Sequence, residues 1–570
     1  MSEIFHECGV AAVYQLSEGN RTSGDHVERV NSSENGIPGP EVMQASSIAP
    51  SDDPMTVSRL IPRMLLDIQN RGQLAAGMTS YRPGQKELLK THKEIGTVGE
   101  VFRLSHPGKS ESLMQDLEGI AAIGHVRYAT CGKDERSYAQ PFEREHLQKH
   151  KWFAFGFNGQ LANYKQLKKE LLDSGGDYHL SREADTEIIM HEIGRAISED
   201  ENRTLLDVMS KLADRFDGAY SISIMNAVGD MIVARDPLGI KPMVYAYEDS
   251  MFAAASENVA LLNLGFKRSS IHDLPPGHAV VIERGKAETD EDGKLVTRQF
   301  AESPRKAHCF FEWIYFANVA STLDQRSVYV SRTRLGAELA NLEKERPEFD
   351  IDGDTIVVPV PDTSKAAADS MAFELGIPSW EGLIRNRYSG RTFIATGRDR
   401  IRMAEAKYTP LREVMKDKRV ILVEDSIVRS TTMRVLLHRI YEEGLAREIH
   451  VRVACPPIVA PCFYGIDFST IGELFAPEYI QNGRLSDESQ IDMARELGCD
   501  SVRYLPIESI ARAVNLPAED LCQACITSNY PTVAGQELYQ IALEASRSET
   551  KTSGRIFEDE PQAANAMETR

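Results

Sequence analysis

Apolar and polar positions alternate along this chain in two distinct regimes. Between Met55 and Val281, short runs such as GIAAIGHVRYA (119–129), WFAFGFNGQLA (152–162), AYSISIMNAV (219–228) and DMIVARD (230–236) read as strands, while EADTEIIMHEIGRAI (183–197) has helical spacing. Sheets covered by helices, in one α+β domain over residues 8–306, are the expected result. From Cys309 onward the order becomes strand, loop, helix, strand: TIVVPVPDTSKAAADSMAFELG (355–376), RVILVEDSIVRSTTMRVLLHRIYEEG (419–444) and EIHVRVACPP (448–457). Buried β-branched runs separated by amphipathic helices predict an α/β doubly wound parallel sheet over residues 307–545, with ligands at the carboxyl ends of its strands. The polar stretch 285–306 separates the two regimes. Residues 17–55, rich in Ser, Asn, Gly and Pro without apolar period, predict a surface insertion, and residues 546–570 a mobile tail.

A chain of 570 residues at roughly 100–200 per domain calls for two or three domains. Hydrophobic residues at 42% and charged residues at 26% suit a folded soluble protein. The net charge of −20 repels phosphate backbones and anionic lipid, so neither nucleic acid nor membrane is an expected partner. The sequence has no apolar run of about 18 residues, and the opening MSEIFHE carries acids, so a cytoplasmic location is expected. Eight cysteines over such a length do not form a disulfide framework; each is core filler, metal ligand or nucleophile.

Two groups of residues carry chemistry. Glu424 and Asp425 end a predicted buried strand, and Ser426, Ser430, Thr431 and Thr432 follow in a small-residue loop entering a helix. Paired acids can accept from vicinal ribose hydroxyls, while such a loop and helix N-terminus donate to phosphate. Strand, acid pair and loop in that order resemble the type I phosphoribosyltransferases, whose ligand is phosphoribosyl pyrophosphate. In the other half, Cys8 lies in HECGV after a seven-residue leader. Alone it reads as readily as buried filler as it does as a thiol nucleophile. RGQLAAG (71–77), GHVRYAT (124–130), FNGQL (157–161) and Asp185 follow it, and four such segments in that order resemble a class II glutamine amidotransferase domain of the N-terminal-nucleophile type.

Together the halves resemble the glutamine phosphoribosylpyrophosphate amidotransferase family, in its iron–sulfur branch. RDPLGIKP (235–242), ASEN (255–258), FEWIYFA (311–317), PVPDTS (359–364), RNRYSGRTFI (385–394) and YGID (464–467) extend the likeness. The resemblance implies a glutaminase nucleophile at Cys8, freed by removal of residues 1–7 so that its own amine acts as base. It implies oxyanion donors at Asn158 and Gly159, and glutamine contacts at Arg71, Arg127 and Asp185. Ammonia then passes to a second site that binds phosphoribosyl pyrophosphate through Thr363, Ser364, Arg385, Tyr388, Arg391, Glu424, Asp425, Ser426, Ser430, Thr431 and Thr432. The implied product is 5-phosphoribosylamine, the first committed step of purine biosynthesis. Mg²⁺ near Glu424 and Asp425 is implied by the charge of the ligand. The pair Cys522 and Cys525, by itself a metal half-site, a redox pair or coincidence, joins Cys309 and Cys462 as the implied ligands of a [4Fe–4S] cluster. Zinc accepts the same donors, and Cys455 is a rival to Cys462. A homo-oligomer inhibited by purine nucleotides is the family's habit.

This chain departs from the pattern at several positions. Asn70 and Phe157 stand where the family usually has His, and Leu74 where it has an acid. Ser430 replaces a Gly, Glu405 a basic residue, and Arg385 a frequent Lys. The anion site thereby loses positive charge, which keeps a second reading in view: a regulatory or phosphoribosyl-pyrophosphate-sensing paralogue without synthase activity.

Overall fold

The computed structural model describes residues 8–17, 57–128, 135–176, 178–182, 184–200, 203–386, 407–467, 470–480 and 485–547. The leader 1–7, nearly all of the 17–55 insertion, Cys131, Tyr388, Arg391, Glu405 and residues 548–570 lie outside them. The final described helix, Val533–Arg547, carries ordered chain two residues into the segment expected to be tail.

Two antiparallel sheets face each other in the first half. In one, Gly9–Gln15 sits between Met251–Ala255 and Ala121–Arg127, and Ala75–Tyr81 follows outward. In the other, Phe153–Leu161 pairs with Gly218–Asn226, which pairs with Met231–Arg235. Strands in such a position are buried on both faces, and Gly9–Gln15 shows how. Val10, Ala12 and Tyr14 pack against Ala154, Met225 and Val233 of the second sheet. Ala11 and Val13 pack outward against Ile61, Leu65 and Leu261, from helices Val57–Asp67 and Asn258–Leu264. Helices Tyr164–Asp173, Asp185–Ser198 and Leu205–Ala213 cover the outer face of the second sheet. The domain is thus four layers, helix, sheet, sheet, helix, with Cys8 and Arg127 at strand ends, Gly159 within a strand and Asp185 at the start of a helix.

The second half holds four parallel strands in the order Thr355–Pro359, Arg419–Glu424, Glu448–Val453, Ser501–Tyr504. Ser379 bridges to Val357 in parallel, with Val357 N–H donating to Pro378 and Trp380 N–H to Val357. The chain after helix Lys365–Leu375 therefore lies outside the first strand, while the next strand lies on its inner side. Strand order reverses between Thr355–Pro359 and Arg419–Glu424. Open α/β sheets bind ligands at the carboxyl ends of the strands flanking that reversal, and those ends carry PVPDTS and the acid pair.

The two halves meet along a buried seam. Ala534 N–H of the second half donates to Asp217 of the first at 3.0 Å, and Arg235 of the first half binds Asp324 of the second through both carboxylate oxygens at 2.7 and 2.9 Å. Among the described residues, no helix is long and apolar enough to cross a membrane.

Candidate functional site: a thiol pocket and a ribose acid pair

Strand register brings the first site together. Gly9 stands opposite Val126, so Cys8 and Arg127 extend past the same end of the antiparallel pair. Cys8, Arg127, Tyr138, Gln140, Phe157, Gly159 and Asp185 line one pocket. The Cys8 thiol donates to the Tyr128 carbonyl at 3.5 Å, and burial pushes its pKa up, opposed by that bond and by the Arg127 charge. An isolated buried thiol is a poor nucleophile, so this one needs an adjacent base. Arg127 lies 5.6 Å over the Tyr138 ring, which leaves the flat guanidinium supported from one face.

Gly159 lines the pocket at φ +150°, and a Cβ there would meet the Ala219 carbonyl oxygen at 1.9 Å. Glycine alone fits. Asn158 is buried, its Nδ2 held by Ser256 Oγ at 3.4 Å, while Ser256 also accepts from Val10 N–H. Asp185 begins helix Asp185–Ser198 and accepts from Leu161 N–H at 3.3 Å, tying the helix to the end of the Asn158 strand. Burial pushes its carboxyl up to about 6, against three backbone donors and the Arg127 charge. Buried acid facing buried thiol and Arg127 forms a cleft of mixed charge, which suits a zwitterionic amino acid.

Arg71 departs from its expected place. It does not line the pocket: its Nε donates to the Cys8 carbonyl at 3.1 Å, and its other nitrogens reach Glu257 at 2.8 Å and Glu312. Three directions of a planar fork are thereby spent on the protein itself. Asn70, where the family has His, also binds Glu257, at 2.9 Å. The Phe157 ring stacks on Tyr220, so the departure there feeds the core. Leu74 is buried, with its N–H on the Arg127 carbonyl.

At the second site, Thr363 Oγ1 donates to Asp425 Oδ2 across the strand reversal, and Ser426 Oγ to Oδ1 at 2.7 Å. Burial raises both acids, Glu424 to about 8, with the Asp425 charge adding to it. Two carboxyls taken out of water at a strand end are able to accept from hydroxyls or to hold a cation. Ser364 Oγ is buried and finds no partner among the described residues. Ser430 and Thr431 open helix Ser430–Glu442 near the surface, with Thr432 buried behind them. Arg385 is spent on Asp362 at 2.8 Å, so its place on a ligand depends on breaking that pair.

Cys309, Cys462, Cys522 and Cys525 line one apolar cavity with Ile240, Lys241 and Tyr464. Cys455 is buried outside that lining, and Cys499 is half-buried. Among the described residues, no three His, Cys, Asp or Glu side chains converge closely enough to hold a single metal ion.

Comparison with known proteins agrees with this layout. A glutamine amidotransferase domain matches residues 125–263. The amidophosphoribosyltransferase of Methanothermobacter thermautotrophicus is 36% identical over 485 residues, which span 85% of this chain and 93% of that protein. The chain belongs to the amidophosphoribosyltransferase family. The Bacillus subtilis amidophosphoribosyltransferase is 34% identical over 84% of this chain and 91% of its own. A solved B. subtilis glutamine phosphoribosylpyrophosphate amidotransferase, complexed with ADP and GMP, superposes with a TM-score of 0.70 at 30% identity, covering 93% of this chain and all of that one. A structure described as the allosteric regulatory enzyme of purine biosynthesis gives 0.71 at 30% identity, over 92% of this chain and 96% of its own.

Within the amidophosphoribosyltransferase frame, sequence reading assigned no role to Gln140, Ser256, Glu257, Glu312, Arg332 or Lys241. Glu257 and Glu312 stand in ASEN and FEWIYFA, segments already visible as family strings. Their signal was an acid inside an apolar run, which is rarely tolerated unless paired.

Proposed function

We propose that this chain makes 5-phosphoribosylamine from phosphoribosyl pyrophosphate and glutamine. The Cys8 thiolate attacks the glutamine carboxamide carbon, ammonia leaves, and water hydrolyses the resulting thioester to glutamate. Ammonia passes to the second half and attacks the ribose carbon bearing pyrophosphate, which departs. The observation that carries this reading is the convergence of Cys8, Arg127, Gly159 and Asp185 on one pocket, from four separate stretches of sequence. Arg127 meets the substrate α-carboxylate, Asp185 its ammonium, and Asn158 with the Gly159 N–H the developing oxyanion. The family matches support the synthase and give no support to a sensing paralogue.

Glu424 and Asp425 accept from the ribose hydroxyls, Thr363, Ser364, Ser426, Ser430, Thr431 and Thr432 donate to phosphate, and Arg385 and Arg391, with Tyr388 in the same segment, close over the sugar phosphate, the two cations offsetting its charge. Glu424 and Asp425 would hold Mg²⁺, whose charge would offset that of the departing pyrophosphate. For the thiol cavity the donor set favours a [4Fe–4S] cluster over zinc. Zinc needs four sulfurs at about 2.3 Å from one point, whereas thiols ranged around a cavity match a cluster whose irons lie apart. Purine nucleotides as inhibitors, a homo-oligomer and a cytoplasmic location complete the proposal.

Cys8→Ala tests it. The variant should lose glutamine-dependent synthesis and keep ammonia-dependent synthesis; equal loss of both would sink the two-site reading. Intact mass and N-terminal sequencing test whether Cys8 carries a free amine, and a chain that still begins at Met1 or Ser2 would leave the thiol without its base.

A further inference from the structure

Arg71 and Glu312 lie outside the glutamine pocket, yet they reach the residue that holds the nucleophile. Arg71 is wholly buried, as are its partners Glu257 and Glu312. Its Nε grips the Cys8 carbonyl, and its two terminal nitrogens each meet a carboxylate, Glu257 from the first half and Glu312 from the second. Each of those acids is fixed in turn. Glu257 accepts from Asn70 at 2.9 Å, from Asn318 N–H at 2.7 Å and from Ser321 at 2.6 Å. Glu312 begins the π-helical turn Glu312–Phe316. That turn is held from behind by Arg332, which donates to the Trp313, Tyr315 and Ala317 carbonyls at 2.9, 3.0 and 2.9 Å.

Cys8 is also held through its side chain, whose thiol donates to the Tyr128 carbonyl at 3.5 Å. From Gly9 onward the chain is locked in the sheet, but Cys8 stands just before the first strand pair, where its peptide plane can turn. Rotation of that plane swings the Cys8 amine and thiol relative to Gly159 and Arg127, and catalysis is sensitive to shifts of about 1 Å. A neutral partner for the carbonyl would suffice for hydrogen bonding alone. A buried cation held between two carboxylates is a stiffer device, because charge-assisted hydrogen bonds are shorter and stronger than neutral ones and fix the planar fork in two directions at once.

We propose that Arg71 and Glu312 are positioning residues for Cys8, so that the geometry of the glutaminase nucleophile in the first domain depends on a carboxylate supplied by the second. This rests on the reading of Cys8 as nucleophile. The glutaminase is then competent only with the Glu312–Phe316 turn docked, which places control of the first reaction in the seam between the halves.

Arg71→Lys and Glu312→Gln, each in the full chain, test the assignment by steady-state glutamine kinetics beside ammonia-dependent synthesis. In both variants kcat with glutamine should fall at least tenfold, while KM for glutamine and the ammonia-dependent rate stay within about twofold of the parent. A raised KM at unchanged kcat would make Arg71 a substrate ligand and overturn the proposal. Parallel loss of the glutamine and ammonia reactions would make the pair a general support of the fold and overturn it too, as would parental values throughout. Cys8→Ala, run alongside, separates the two levels: retained glutamine turnover there refutes the nucleophile itself, whatever Arg71 does.

Discussion

Gln140 holds both backbone groups of Phe157: Phe157 N–H donates to its Oε1 at 2.8 Å, and its Nε2 donates to the Phe157 carbonyl at 3.3 Å. The same carbonyl accepts from His125 Nε2 at 3.0 Å, and burial pushes His125 down to about 3, so the ring is neutral and carries its proton on that nitrogen. Phe157 precedes Asn158 and Gly159, so these contacts set the direction of the two groups proposed as oxyanion donors. A glutamine side chain matches a peptide in shape and extends the sheet's hydrogen bonding at a point where the neighbouring strand has ended.

Gln140→Leu removes a donor and an acceptor from a buried peptide at once. Leaving such groups unmet costs about 1–3 kcal/mol. The variant should lose roughly tenfold to a hundredfold in kcat with glutamine, within the range for one oxyanion donor, with ammonia-dependent synthesis unchanged. Unaltered glutamine kinetics would show that His125 alone suffices.

Asp185 gives a pH dependence with a definite sign. Its carboxyl titrates near 6 in the folded chain against an ordinary value of 3.8. Between about pH 4 and pH 6 the folded state holds a proton that the unfolded chain has released, so the stability this proton provides is present below that window and lost as pH rises through it. Asp185→Asn lacks that loss. Denaturant unfolding should therefore show the variant gaining on the parent from pH 4.5 to pH 7.5, and a pH-independent difference would contradict the shift. Glutamine binding runs the other way, since the substrate ammonium needs the ionised acid: the parent's KM for glutamine should rise below about pH 6, and that rise should vanish in the variant.

Glu424, titrating near 8, is largely protonated at neutral pH in the free protein. Phosphoribosyl pyrophosphate with Mg²⁺ should expel that proton, so binding tightens between pH 7 and pH 9 and the heat of titration varies with buffer ionisation enthalpy. Glu424→Gln should flatten the pH dependence. Asp425→Asn should weaken binding by tenfold or more across the range, and an unchanged titration would remove Asp425 from the site.

For the cysteines, iron and sulfide assays on anaerobically purified protein should find about four of each per chain. Serine at Cys309, Cys462, Cys522 or Cys525 should abolish that content, and serine at Cys455 should preserve it. One zinc per chain with no sulfide would select the other metal.

Much of the site was legible because its chemistry lies in short strings. Glu424 and Asp425 follow a buried strand directly, and one turn of loop carries the phosphate donors, so local order along the chain is also order in space. Gly159 was legible for a similar reason, since FNGQL contains its own signal. The contacts of Arg71 were not legible, because RGQ shows a cation without its partners. Those partners, Glu257 and Glu312, lie 186 and 241 residues away, and local spacing says nothing about such pairings. Gln140 escaped notice because an amide between Ala139 and Pro141 looks like any loop residue until it meets Phe157.

Alternation of apolar and polar positions was enough by itself to separate two regimes of different class and to place the strand that ends in the acid pair, while the roles proposed for the groups that attack, donate or bind came from short motifs and the resemblance they carry. Burial decided the rest. Antiparallel register set Cys8 beside Arg127, packing of the second half against the first set Arg71 on Glu312, and reversal of strand order set Thr363 against Asp425. Polar groups taken out of water must find partners wherever the fold brings them, and which partners those are is a property of the closed structure.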